Sequence, residues 1–103
     1  MRTMVKFKFA AESGNEVIRS GKIDKVIQGI MEHLKPEAAY FYPEGGQRGG
    51  LMVFDMTDSS QVAEVVERFC FGLNANIELT PVMNGEDLQK GLSGVQGIIQ
   101  QYG

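Results

Sequence analysis

At 103 residues, 43% hydrophobic and 22% charged, the chain has the size and composition of one globular domain, too short to bury a large core unaided. Its net charge of −3 offers no general attraction for a polyanion, which removes nucleic acid as a default partner. The single cysteine, Cys70, excludes an internal disulfide, an all-cysteine metal site and a four-cysteine iron–sulfur cluster.

The opening residues Met1-Arg2-Thr3-Met4-Val5-Lys6 mix charged and apolar types and lack the apolar run of a signal peptide. No stretch approaches the about twenty apolar residues of a membrane span, so no membrane partner and a cytoplasmic location are expected. Charge is unevenly placed, with a balance of +2 over residues 1–52 and −5 over residues 53–103. That asymmetry can orient an antiparallel self-association, and ordinary solvated faces produce it too.

Thr3 to Phe9 alternates, with Val5, Phe7 and Phe9 on one side and Met4, Lys6 and Lys8 on the other, which predicts a half-buried strand. Ser13, Gly14 and Asn15 interrupt the pattern. A helical stripe follows at Ile23, Val26, Ile27, Ile30, Met31 and Leu34, ended by Lys35-Pro36. Ala38 to Tyr42 reads as a second strand closed by Pro43, Glu44 to Gly50 as turn, and Leu51 to Met56 as a third strand in an antiparallel hairpin. Asp58 with Gln61 marks a helix start, and Val62, Val65, Val66, Phe69 and Cys70 form its stripe up to Gly72. Asn76 to Val82 alternates again as a fourth strand.

The tail from Glu86 carries Leu88, Leu92, Val95, Ile98, Ile99 and Tyr102 at helical spacing, which predicts one helix over about 86–102. Gly91, Gly94 and Gly97 each weaken it by about 1 kcal/mol against alanine, so it needs a surface to dock on. The order βαββαβ plus a tail helix predicts an α+β, ferredoxin-like fold with a four-stranded antiparallel sheet, as one domain over residues 1–103.

Sorting the strand residues by side assigns Val5, Phe7, Phe9, Ala39, Phe41, Leu51, Val53, Ile77 and Leu79 to the face under the helices. The other face then collects Lys6, Lys8, Tyr40, Tyr42, Met52, Phe54, Met56, Glu78 and Thr80. Such a face is too apolar to lie in solvent and too polar for a plain core. It fits a sheet that meets a second copy while keeping a partly polar cavity between them. In that cavity Tyr40, Tyr42, Met52 and Phe54 are expected to wall a small molecule, and Lys6, Lys8 and Glu78 to orient it. A plainer arrangement uses the same residues: Lys6 and Lys8 reach solvent and pair with Glu78, with nothing bound.

Other candidates carry less. Cys70 falls on the apolar side of its helix, as a packed thiol does, and no His or Arg adjoins it in sequence. His33, beside its helix's apolar stripe, has no ligand-spaced partner for a metal, though its chemistry suits a general base. The glycine-rich turn lacks the Gly-Lys-Ser/Thr ending of a phosphate loop and reads as a hairpin tip, from which Arg48 can reach an anion at a pocket mouth. Arg48-Gly49-Gly50-Leu51-Met52-Val53-Phe54-Asp55 lacks both aromatic positions of an RNA-recognition strand, and Asp55 repels phosphate. No metal, haem or nucleotide is indicated.

The run from Lys25 to Leu92, through "KPEAAYFYPEGGQRGGLMVFDM", "DSSQVAEVVERF" and "LNANIELTPVMNGEDLQKGL", resembles an uncharacterised bacterial family within the dimeric α/β-barrel superfamily. The resemblance implies two ferredoxin-like sheets closing face to face in a homodimer. That superfamily includes cofactor-free monooxygenases, muconolactone isomerase and stress-responsive proteins, and no catalytic motif aligns position by position. Three functions are therefore carried forward. The first is a homodimer binding a small apolar or aromatic molecule between its sheets. The second is a cofactor-independent oxygenase or isomerase with Lys6, Glu78, Tyr40 or His33 as acid or base. The third is an interaction module docking through its tail.

Overall fold

A computed structural model describes residues 1–103. Strand β1 (Arg2–Phe9) buries Thr3, Val5, Phe7 and Phe9, the period-two side expected of it. Helix α1 (Ala11–Arg19) comes next, where Ser13, Gly14 and Asn15 read as a break. It is short and polar, and its Gly14 is buried where the helix meets Phe9 and Arg48. Helix α2 (Ile23–Leu34) then presents Ile30 and Leu34 to the core. It ends as Lys35 turns left-handed at φ 47°, just before Pro36.

The hairpin is longer and its turn tighter than the composition suggests. Strands β2 (Ala38–Glu44) and β3 (Gln47–Asp55) are joined by Gly45 and Gly46 alone. Both glycines have positive φ, which is the requirement of the two-residue turns that match strand twist. Pro43 stays within β2, at the sheet edge, where a missing N–H costs least. Helix α3 (Gln61–Leu73) opens with the Gln61 side chain accepting the Asp58 backbone N–H at 3.1 Å, as expected. It runs past Gly72 to Leu73 and stops at left-handed Asn74. Strand β4 (Asn76–Pro81) follows, then two tail helices, α4 (Gly85–Leu92) and α5 (Val95–Tyr102), separated at Ser93–Gly94.

The strands lie in the order β2-β3-β1-β4, each pair antiparallel, which is a ferredoxin-like sheet with an added helix in its first crossover. Helices α2 and α3 cover one face. There Val5, Phe7, Phe9, Met52 and Phe54 pack with Ile30, Leu34, Val65, Phe69 and Leu73, and the Phe7 and Phe69 rings lie 4.9 Å apart.

Register corrects the face assigned to β3. Val5 pairs with Met52 and Thr3 with Phe54, so Met52 and Phe54, 0% and 2% exposed, belong to the helix-covered core together with Met56. Leu51 and Val53 point to the open side instead, opposite Lys6 and Met4. Four consecutive apolar residues, Leu51 to Phe54, carry no alternation that marks a side; only the short turn and the register decide.

Close backbone approach locks that register. A Cβ on Gly49 would sit 2.3 Å from the Phe7 carbonyl oxygen, and one on Gly50 would sit 2.3 Å from that of Tyr40. Gly49→Ala and Gly50→Ala are each expected to lower unfolding stability by about 2 kcal/mol in a urea titration, since neither neighbour is a movable side chain. Gly29→Ala, within α2 and with nothing inside 4 Å of the added carbon, is expected to raise it by up to about 1 kcal/mol.

Candidate functional site

The open face is built in rows across the sheet. Ala38, Val53, Met4 and Thr80 make one row, and Tyr40, Leu51, Lys6 and Glu78 the next. Tyr42, Gly49, Lys8 and Asn76 form a third. Its centre is apolar through Met4, Leu51 and Val53, all half-buried with no helix above them, and its flanks are tyrosines on β2 and polar groups on β4. Of the seven candidate ligand-binding residues, Lys6, Lys8, Tyr40, Tyr42 and Glu78 share this face, whereas Met52 and Phe54 lie beneath it in the core.

The ion pairing differs from the expected one. Lys6 sits beside Glu78 in register, yet its Nζ donates to Glu44 Oε1 at 2.9 Å, reaching across β3 to β2. Gly49 presents no side chain between them. Glu44 is not evident in the sequence, where Pro43 reads as the close of β2; with the turn confined to Gly45–Gly46, Glu44 falls in phase with Tyr40 and Tyr42. The hydrogen bond from Lys6 holds the Glu44 carboxyl below its ordinary range, and the same bond raises Lys6 above its own. A raised lysine stays cationic at neutral pH, which suits charge recognition and opposes use as a general base. Lys8, in the next row, makes no ion pair.

A hollow of about 100 Å³ opens here, lined chiefly by Lys6, Lys8, Glu44, Asn76 and Glu78. Tyr40 and Glu78 do not converge within one sheet, being on opposite edges three strand spacings apart, roughly 14 Å. His33 belongs to another layer. Its Nε2 lies 3.2 Å from Glu64 and its Nδ1 3.1 Å from Arg68, an exposed contact between α2 and α3 on the far side of the sheet. Cys70 is half-buried, its thiol donating to the Ala75 carbonyl at 3.5 Å. No group of three or more His, Cys, Asp or Glu side chains converges to hold a metal, and no helix is long and apolar enough to cross a membrane.

Residues 1–96 match the family described as Domain of unknown function (DUF3303). The chain belongs to that family. No curated protein matches it significantly. Among solved structures it is similar to the de novo designed protein Ferredog-Diesel, with 10% identity, 78% of this chain and 82% of that one covered, and a TM-score of 0.41.

One further cluster borders the open face of this DUF3303 chain. Arg2 donates from Nε to Glu37 at 2.6 Å and from Nη1 to Asp87 at 2.5 Å, tying β1, the approach to β2, and α4 together. Asp87 also closes a capping box with Asn84, whose backbone N–H is the main cause of a lowered Asp87 carboxyl.

The pH behaviour of the Lys6–Glu44 pair follows from its signs. Glu44, depressed in the folded state, contributes stability above its unfolded pKa and loses it as pH falls through the folded value. Lys6, raised, contributes below its unfolded pKa and loses that as pH rises through the folded one. In Lys6→Met the Glu44 carboxyl midpoint, followed by carbon NMR, is expected to climb toward the ordinary range. An unmoved midpoint would mean that the pair does not persist in solution.

Proposed function

We propose that this protein is a homodimer in which two open sheet faces meet and enclose a small apolar or aromatic molecule. The carrying observation is the uncovered apolar patch of Met4, Leu51 and Val53 between two tyrosines on one side and a polar hollow on the other. A central apolar strip with a few oriented polar groups is the composition of a ligand site.

One sheet alone is not enough for it. The hollow of about 100 Å³ falls well short of the roughly 300 Å³ at which small-molecule pockets begin, and a facing sheet supplies the roof and the missing volume. Lys8 makes no ion pair of its own and lines the hollow beside Glu44 and Glu78, which leaves its ammonium group available to orient a polar group of the ligand. The acid–base reading loses support on the same ground, since Lys6 is engaged by Glu44 and His33 lies in the helical layer. On this proposal the chain acts as one unit in the cytoplasm, and its chemistry is binding.

Native mass spectrometry of freshly purified protein tests the proposal. A dimer carrying additional small-molecule mass is expected. Val53→Asp, which sets a charge in the middle of the open face, is expected to give a folded monomer without that mass. A wild-type monomer would defeat the sheet-to-sheet arrangement, and a dimer that never carries a ligand under any extraction condition would defeat the binding reading.

A further inference from the structure

Beyond its root, the tail's apolar side chains are left exposed by their own chain. Leu92, Ile98 and Ile99 are more than half exposed and Tyr102 is 80% exposed, yet all fall on an apolar stripe. The molecule measures 58 × 27 × 21 Å. Its radius of gyration of 17.1 Å compares with about 13 Å for a compact chain of this length, so the excess reflects helices that project away from the body. Helices α4 and α5 have eight residues each, and isolated helices shorter than about 12 residues are marginal in water. Only the root is held, through Arg2 and the Asn84–Asp87 capping box.

The dimer proposed above, on which this inference rests, needs more contact than its sheets provide. Four strands at about 4.8 Å spacing and some seven residues long present roughly 450 Å² per protomer. Doubled, that stays below the about 1,200 Å² at which stable interfaces begin. An apolar helical tail of some 27 Å, donated by each protomer, closes the difference.

Charge decides where the tail arrives. A two-fold axis across the strands would set the β1 column, in which Lys8 has no ion-pair partner, against the same column of the other copy. An axis along the strands sets β1 against β3, which is apolar through Leu51 and Val53, and β4 against β2. The tail, which follows β4, then reaches the edge of the second copy at β2. There Tyr40 and Phe41, 64% and 54% exposed, stand on opposite faces of one edge strand. We infer that α4 and α5 form an exchanged arm, each protomer laying the stripe from Leu88 to Tyr102 against the β2 edge of a second copy of this chain.

The test compares three proteins by sedimentation over a range of concentrations: the full chain, a chain ending at Met83, and full-length Leu92→Asp/Ile99→Asp. Circular dichroism verifies that each remains folded. A photo-reactive phenylalanine analogue at Ile98, in a mixture of isotopically light and heavy protein, reports which chain the tail touches. The expected result is a dimeric full chain, about tenfold or greater weakening in both variants, and light–heavy cross-links to the peptide containing Tyr40 and Phe41. A dimeric full chain whose variants dimerise equally well would overturn the arm and leave the sheet pairing standing. Cross-links confined to one chain would show the tail folding back on its own body and also overturn it. A monomeric full chain would remove the sheet pairing and the arm together.

Discussion

Everything on the open face depends on how β3 is held between β1 and β2. Its backbone is pressed at Gly49 and Gly50 against the carbonyl groups of Phe7 and Tyr40, leaving no room for a Cβ at either place. Once the strand is so placed, Met52 and Phe54 must go under the helices and Leu51 and Val53 must go to the other side. A slip of one residue would exchange the two sets, bury Asp55 and expose Met52 and Phe54. Gly49, on the open face, also clears the space over which Lys6 reaches Glu44. One steric condition therefore specifies the core, the composition of the open face and its main ion pair.

How far the sequence was legible follows from where it contained contrast. In β1, lysines alternate with phenylalanines, and the strand and its buried side are evident. The long apolar stripe of α2 and the signals flanking α3 were equally plain, and the ferredoxin-like order followed from them. Leu51-Met52-Val53-Phe54 has no polar residue to mark a side, so its parity depended on a turn length that seven turn-forming residues left open. Glu44 was hidden for the same reason. Helix α1 was missed because it is short and holds Ser, Gly and Asn, whose propensities are overridden by packing against Phe9. In the tail the helical periodicity was visible, but the position of its interruption at Ser93–Gly94 was not.

Arg2 joins regions that are distant in the chain. It lies at the start of the central strand and bonds both Glu37, before the hairpin, and Asp87, in the first turn of α4. These contacts are exposed and individually weak, and salt screens them. Their geometric effect is larger than their energy, because they tie the first turn of α4, and with it the root of the tail, to the sheet.

The central position of β1 has a consequence for how the protein is made. Strand β1, made before both of its neighbours, must wait for Gln47–Asp55 on one side and for Asn76–Pro81 on the other, a pairing that joins Thr3 to Pro81. Everything up to Pro81 must therefore exist before the sheet can close, and such long-range pairing slows folding. Until then Val5, Phe7 and Phe9 have no finished core to enter, and an apolar strand kept waiting is open to chaperone capture or misassociation.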